Sequence, residues 1–319
     1  MTFRVRPFAG DRDYPAFARI HGVAEGRRVT PEDARADDAL WDWSYEKVRV
    51  VAVDEEDVAL GYGEIYHEPA RFEPRRYFVR LAVEPRLRRR GIGAAIWDHL
   101  AAELDERRAR IACLWIRDHT ACVDFMAARG FREVVRAYGQ VLAVATAPLP
   151  TPASRERLAS RGIRIATLAD LLKSDPEAAT KAHALNVASR EAQVTLGPVT
   201  AVPFAHWKRI YLDDALALPE AFFIAIADGA YVAQTTAVRA RNADDVLDIG
   251  ITGVVPAFRR LGVARALKLE LHAYARAHGY HEIHTSTARG SAMERLNTEL
   301  GYAIVESQGG YELAIPSSP

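Results

Sequence analysis

The sequence predicts a mixed α/β fold in which one kind of domain occurs twice. Apolar segments of strand length come in runs, with helical segments inserted between them, which favours a mixed sheet over strict alternation. Two landmarks repeat: Gly91 and Gly130 recur as Gly262 and Gly301, in both cases 171 residues further on. A Pro-, Ala- and Ser-rich segment at 145–162 separates the copies and is typical of an exposed linker. Because the repeat has the size of a domain, we expect two tandem domains rather than an array of short repeats.

The first domain is placed at residues 1–148 and the second at residues 160–319. In the first, alternation and β-branched content predict strands at 3–8, 48–54, 59–67, 77–83 and 110–116, helices from 13, at 31–43, 90–108 and 121–130, and a terminal hairpin at 132–145. In the second, the same signals predict strands at 162–168, 221–228, 231–239, 246–254 and 282–288, helices from 176, near 203–212, at 259–278 and 291–301, and final strands.

Composition limits the classes of partner. Of 319 residues, 49% are hydrophobic and 26% are charged, which is ordinary for globular domains. The 42 basic and 42 acidic side chains cancel, so no global charge favours nucleic acid or an anionic membrane. We therefore expect neither as a partner, and any phosphate must be bound by a local patch.

The cysteines and apolar segments indicate a cellular setting. Cys113 and Cys122 share one apolar-rich segment and show neither a disulfide framework nor the spacing of metal ligands. The start of the chain lacks a long apolar core, and the longest apolar runs are of strand length. We expect a cytoplasmic protein without a metal, as a monomer or a homodimer.

The densest positive charge of the chain lies directly against glycines. A strand ends at Val83, Pro85 stops it, and the run Arg88-Arg89-Arg90-Gly91-Ile92-Gly93 leads into a helix. The first turn of a helix has unpaired N–H groups and a dipole that favours an anion, glycine allows close approach, and arginine adds forked donors. The combination predicts a site for a pyrophosphate.

A second copy, Arg259-Arg260-Leu261-Gly262-Val263-Ala264, lies between a strand and a helix at the matching place. One copy alone could be a solvated helix cap or a basic face that contacts RNA, and the recurrence favours the pyrophosphate site. A dinucleotide fingerprint would need glycine at position 96, which is Ile96, and no Gly-Lys-Ser/Thr follows as in a Walker loop.

The pattern Arg/Gln-x-x-Gly-x-Gly/Ala after a strand that ends near Val-x-Pro resembles the acetyl-CoA motif of the GNAT superfamily of N-acetyltransferases. The later helices that end in Gly130-Phe131 and Gly301-Tyr302 are similar to the superfamily's second motif. The resemblance covers nearly the whole chain as two tandem GNAT domains, a layout similar to that of mycothiol synthase. It implies acetyl-CoA, or another acyl-CoA, as the acyl donor.

The resemblance also implies which residues contact the cofactor. Backbone groups of Leu81, Ala82 and Val83, and of Thr252, Gly253 and Val254, would hold the pantetheine arm and the thioester. The pyrophosphate would be held by Arg88, Arg89, Arg90, Gly91, Ile92, Gly93 and Ala94 in the first domain, and by Arg259, Arg260, Leu261, Gly262, Val263, Ala264 and Arg265 in the second.

In the superfamily the amine attacks the thioester directly, so the protein positions the reactants and takes a proton. A carboxylate six residues before the motif valine serves as base in the second half of mycothiol synthases, and that position is Asp248 here. Asp248 could equally be a rim carboxylate paired with an arginine. The first domain has Tyr77 at this place, and its nearest carboxylate, Glu64, is in a pattern that favours a solvent-facing position.

Two family positions differ. The tyrosine that acts as general acid in many members is replaced by Met126 and Asn297, so a water or another tyrosine would have to serve. An asparagine common earlier in the same motif is replaced by His119 and Gly290.

These observations predict an acetyl-CoA-dependent N-acetyltransferase that acts on a primary amine of a small molecule or peptide. The second domain is the better candidate for catalysis because it contains Asp248. The alternative is an acyl-CoA-binding sensor or scaffold in which one or both domains are inactive, and the loss of both tyrosines favours that alternative.

Overall fold

The structure is a computed structural model that describes residues 2–26, 28–42, 44–118, 120–191, 193, 195–241 and 243–316. The prediction made for His119 lies outside these residues.

The elements of the two halves follow a similar order, and the second half has two additional short helices. The first half contains β1 (Arg4–Pro7), α1 (Tyr14–Glu25), α2 (Pro31–Ala39), β2 (Lys47–Val53), β3 (Ala59–Tyr66), β4 (Arg76–Val83), α3 (Ile92–Glu106), β5 (Ile111–Arg117), α4 (Thr120–Ala127) and β6 (Arg132–Ala143). The second contains α5 (Pro152–Ala159), β7 (Ile163–Thr167), α6 (Leu168–Ser174), α7 (Ala178–Arg190), α8 (Phe204–Lys208), β8 (Phe223–Ala227), β9 (Ala230–Ala240), β10 (Ala243–Val254), α9 (Val263–Ala277), β11 (Glu282–Ala288), α10 (Ala292–Glu299) and β12 (Ala303–Ala314). Helices α3 and α9 begin and end 171 residues apart, which confirms the duplication.

The described strands form one twelve-stranded sheet in the order β1-β2-β3-β4-β5-β12-β6-β11-β10-β9-β8-β7. The last strand of each half therefore pairs with the other half: β12 lies against β5, and β6 lies against β11. The two strands also pair with each other, antiparallel, in the middle of the sheet. The halves consequently share one continuous backbone hydrogen-bond network.

The predicted hairpin at 132–145 is wrong, because this segment is the single strand β6. Gly139, in the middle of this segment, lies opposite Glu306 in the paired strand, and an added Cβ would be 3.2 Å from the Glu306 Cβ. Gly310 of β12 is closer still, since its Cβ would lie 2.6 Å from Val135 Cγ1. The glycines allow side chains of neighbouring strands to approach and do not reverse the chain.

Each half packs a long helix on the sheet. In α3 the buried side chains include Ile92, Ile96 and Leu100, which form one stripe at helical spacing. Gly63 of β3 lies beneath this stripe, where a Cβ would be 2.4 Å from Ile96 Cγ2. The absence of a side chain at Gly63 thus lets α3 pack close to the sheet.

The segment predicted as an exposed linker is folded onto the second half. It contains the helix α5, which Thr151 caps by a hydrogen bond from the Ser154 backbone N–H. The Arg276 guanidinium on α9 donates to the carbonyl oxygens of Val144 and Ala147 at 2.8 and 2.7 Å. These contacts hold the connection in place despite its Pro- and Ser-rich composition. Among the helices described, none is both long and apolar enough to cross a bilayer.

Candidate active site

The Arg-Gly turns have the same backbone shape in both halves. Gly91 and Gly262 precede α3 and α9 with φ of 86° and 82°, and Arg89 and Arg260 also have positive φ, 63° and 62°. The left-handed region is costly for residues with a Cβ, which explains the glycine directly before each helix. The helices begin at Ile92 and Val263, so α3 starts two residues later than its predicted start near Arg90.

The first arginine of each turn is fixed to the end of the preceding strand. Arg88 Nε donates to the Val83 carbonyl oxygen at 3.4 Å, and Arg259 Nε donates to that of Val254 at 3.0 Å. Both arginines remain exposed, as do Arg89, Arg90 and Arg260. The turns therefore present guanidinium groups to solvent beside the first turn of a helix.

The space in front of both helices is open. A Cβ added at Gly91 or Gly262 would meet no atom of the described residues within 4 Å. The side chains of Ile92 and Val263 are buried, so these two positions can offer only their backbone N–H groups to a ligand. Unpaired helix N–H groups, nearby guanidiniums and open space together fit a pyrophosphate, so the turns suit the diphosphate of CoA.

The strand before each turn separates from its neighbour. β4 pairs with β5 only over Arg76–Phe78, and β10 pairs with β11 only over Val246–Asp248. The backbone edges of residues 81–83 and 252–254 therefore face a gap between parallel strands. The predicted pantetheine positions thus lie where main-chain donors and acceptors lack a sheet partner on that side.

The two halves differ at this gap. In β10 the register with β9 shifts between Ile249 and Ile251, so Gly250 is a bulge, and the Ile251 N–H donates to Thr236 Oγ1 at 2.9 Å. The pairing of β4 with β3 is regular from Phe78 to Val83. The bulge occurs two residues after Asp248, which is half-buried and is the last residue of β10 paired with β11. The structure thus places Asp248 where the strands begin to diverge.

In the first half, the candidate bases are occupied. Tyr77 is buried, and its hydroxyl donates to the Glu46 carboxylate at 2.9 Å. Glu64 is fully buried rather than solvent-facing, because Arg49 Nε and Arg80 Nη1 bind its two oxygens at 2.8 and 2.9 Å. Burial alone would raise the pKa of Glu64, but the two guanidiniums lower it to about 2. Glu64 is therefore charged near neutral pH as part of an ion-pair network and is a poor base.

The two positions where the resemblance predicts a tyrosine are structural. Met126 is buried in the core of the first half. Asn297 is fully buried, and its Nδ2 donates to Gln140 Oε1 on β6 at 2.8 Å, an oxygen that also accepts from Thr287 Oγ1. Asn297 thus joins the two halves through the exchanged strand. Gly290 lies in the turn before α10 with φ of 76°.

A cavity of about 170 Å³ lies beside the bulge of β10 and was not predicted from the sequence. The connection between β3 and β4 lines one side with Glu68 and Arg71, and α7 with the segment after α8 lines the other. Tyr211, which borders the cavity, has its hydroxyl oxygen 2.9 Å from the place of an added Gly250 Cβ. No motif signals these residues, because they come from opposite halves and meet only through the fold.

The arrangement can hold an acyl-CoA by its diphosphate and pantetheine, and it places a carboxylate and a cavity beside the same gap in the second half. The acetyltransferase (GNAT) family model matches the chain twice, at residues 17–131 and 189–302. The chain belongs to the GNAT family. Both matches contain an Arg-Gly turn and the helix that follows it, so each turn lies within a region that the family model matches.

Solved structures of the same family share the two-domain layout. A GCN5-related N-acetyltransferase from Sphaerobacter thermophilus is 22% identical, with 99% of this chain and 97% of that chain covered and a TM-score of 0.73. A tandem GNAT protein from the clavulanic acid biosynthesis pathway is 16% identical, with 99% and 100% covered and a TM-score of 0.73. The glucosamine N-acetyltransferase region of a fungal multi-domain GH3 β-N-acetylglucosaminidase is 12% identical, with 97% and 38% covered and a TM-score of 0.72. No curated protein sequence matches the chain significantly.

Within the described residues, no three His, Cys, Asp or Glu side chains converge as a metal site.

Proposed function

We propose that the protein is an acetyl-CoA-dependent N-acetyltransferase whose second half acylates a primary amine of a small molecule or peptide. The observation that carries the proposal is the coincidence, in that half only, of the strand gap, the bulge at Gly250 and the carboxylate of Asp248. When bound, the acyl-CoA supplies the thioester that the amine attacks.

The roles of the chain's own residues follow from the geometry. The turn from Arg259 to Gly262 would hold the diphosphate, and the strand edge at 252–254 would hold the pantetheine. Asp248 would take a proton from the ammonium group of the acceptor, since a simple alkyl amine with a pKa of about 10.4 is protonated near neutral pH. The neutral amine nitrogen would then form the amide bond as the thioester C–S bond breaks, and the second proton lost from that nitrogen would go to the departing CoA sulfur, so that CoA would leave as the thiol.

We propose that the first half binds acyl-CoA without turning it over. It has the same Arg-Gly turn at Gly91. However, Tyr77 occupies the position that corresponds to Asp248, and Glu64 forms ion pairs with two arginines. In this proposal the first half serves as an acyl-CoA sensor or scaffold, and the second half is the catalyst. The cytoplasmic setting expected from the cysteine content belongs to the same proposal.

The test is thiol release from acetyl-CoA in the presence of a panel of primary amines. The wild-type protein should release thiol with at least one amine class, and Gly262→Glu should remove this activity while Gly91→Glu keeps it. Activity that depends on Gly91 and not on Gly262 would assign catalysis to the first half. CoA binding without thiol release for any amine would leave the scaffold function for the whole chain.

A further inference from the structure

The cavity beside β10 contains an excess of positive charge. Arg71 from the first half and Arg190 from α7 both border it, together with a single carboxylate, that of Glu68. Arg71 Nε donates to Thr195 Oγ1 at 2.5 Å, and Arg190 Nε donates to Asn186 Oδ1 at 3.0 Å. Both of these hydrogen bonds go to neutral oxygens, so neither is an ion pair with a carboxylate. Burial lowers the pKa of Arg71. The negative charge of Glu68 raises this pKa, and the positive charge of Arg190 lowers it.

Two further hydrogen-bond donors at the cavity lack acceptors. Asn186 and Trp207 are each 1% exposed, and Asn186 Nδ2 and Trp207 Nε1 have no hydrogen-bond partner within the described part of the chain. Leaving a buried donor unpaired is costly, so each needs an acceptor from a ligand or water. The amide N–H of Asn186, the indole N–H of Trp207 and the two guanidiniums are all donors that suit oxygen acceptors, and the two guanidiniums favour acceptors with negative charge. A cationic or purely apolar ligand would leave them unsatisfied.

The wall of the cavity lies close to the strand that carries Asp248. Tyr211 contacts the bulge at Gly250, as described above. Ser189, the neighbour of Arg190 on α7, lies so close to β10 that a Cβ at Gly253 would be 2.6 Å from its Oγ. Tyr211, which lines the cavity, and Ser189, next to the lining residue Arg190, therefore meet β10 between Asp248 and the predicted pantetheine positions.

We propose that the acceptor carries a carboxylate remote from its amine, and that Arg71 and Arg190 hold this carboxylate in the cavity while the amine reaches Asp248. A carboxylate matches the planar fork of a guanidinium, and its oxygens can also accept from Asn186 and Trp207. The inference rests on the proposed function, because it names the acceptor of the same site. It also gives the first half a role in the second, since Arg71 completes the site from the other domain.

The first experiment compares acids with their amides. The ω-amino acids from β-alanine to ε-aminocaproate are each assayed against their own primary amides, with acetyl-CoA and thiol release as the readout. The wild-type protein should favour the best acid over its amide by about tenfold or more in kcat/KM, since one charge-assisted hydrogen bond accounts for about that factor. Equal rates for acid and amide would overturn the proposal. Stronger activity on the matching aminoalkyl phosphates would overturn the carboxylate in favour of a phosphate.

The second experiment uses variants of the two arginines. Arg71→Gln and Arg190→Gln should raise KM for the acid about tenfold or more, change kcat little and leave the amide unaffected. Arg71→Lys should restore part of the loss because it keeps the charge. Arg161 is an exposed arginine in the same half as Arg190. Arg161→Gln is the matched control and should behave as the wild type. Equal losses for acid and amide would show that the arginines only stabilise the fold.

A separate measurement distinguishes failure of the inference from failure of the proposed function. If no amine supports thiol release, calorimetric binding of the same ω-amino acids is compared between the wild-type protein and Arg71→Gln. Binding that is lost in the variant would support the anion site without the reaction. Absence of binding to the wild-type protein, or equal binding to both, would overturn the site itself.

Discussion

Lys268 on α9 is a lysine in the position of a core residue. It is fully buried, and its Nζ has no hydrogen-bond partner among the described residues. The nearest aromatic group is Tyr302, whose ring centroid is 5.0 Å from Nζ. A cation–π contact contributes about 2 kcal/mol at best, which is less than the cost of burying an ammonium group. Burial therefore lowers the pKa of Lys268 to about 7.

The size of the effect follows from proton linkage. The pKa of an unfolded lysine is about 10.4, so between pH 7 and 10 the unfolded chain binds more protons than the folded one. The folded-state pKa of Lys268 is lowered, so its penalty is fully present below pH 7 and is lost as pH rises towards the unfolded value. With about 1.4 kcal/mol per pKa unit, the penalty is about 4 kcal/mol at pH 7 and about 2 kcal/mol at pH 9.

Replacement by methionine removes the titrating group and keeps a long apolar side chain. We expect Lys268→Met to raise the free energy of unfolding most at pH 6 to 7, with an advantage over the wild type that shrinks by about 2 kcal/mol towards pH 9. Urea unfolding of both proteins across this pH range measures the difference. Lys173→Met, at an exposed lysine on α6, is the control and should show no such trend. An advantage independent of pH, or a loss of stability at pH 7, would refute the argument.

Four further substitutions test the cofactor turns, the proposed base and the buried ion pair of Glu64. Asp248→Asn should lower turnover about 10²–10⁴-fold at neutral pH, partly restored at high pH, with CoA affinity unchanged by calorimetry; full turnover would place the base elsewhere. Gly91→Glu and Gly262→Glu should each remove one of two CoA sites in a calorimetric titration, because a carboxylate would face the diphosphate; two sites retained in both variants would identify the turns as simple helix caps. Glu64→Gln should cost about 3 kcal/mol of stability in urea unfolding and spare turnover, because Arg49 loses one of its two carboxylate partners and keeps Asp38. The stability that Glu64 contributes should be lost as pH falls from about 4.5 towards 2, since its folded pKa is lowered to about 2. A loss of turnover in Glu64→Gln would give this residue a role in the reaction.

The sequence by itself determined the repeated architecture and the two Arg-Gly turns. Strands, helices and the Arg-Gly turns depend on local patterns of apolar residues and on glycine at positive φ, which can be read along the sequence. The constant spacing of 171 residues then aligned Gly91 with Gly262. The same local patterns placed Asp248 on the strand before the second Arg-Gly turn. Its catalytic role came from family resemblance and stays a prediction.

Only the tertiary structure decided how the halves combine. The exchange of β6 and β12 depends on pairing between distant strands, and a local pattern that fits a hairpin also fits a long strand in the middle of a sheet. Glu64 was misplaced for a related reason, since strand alternation gives its face of the sheet but not the two arginines that cover it. Arg71 and Arg190 are 119 residues apart in the chain and belong to different halves. Their convergence at one cavity is a product of the assembled sheet, because no local interaction links them in the sequence.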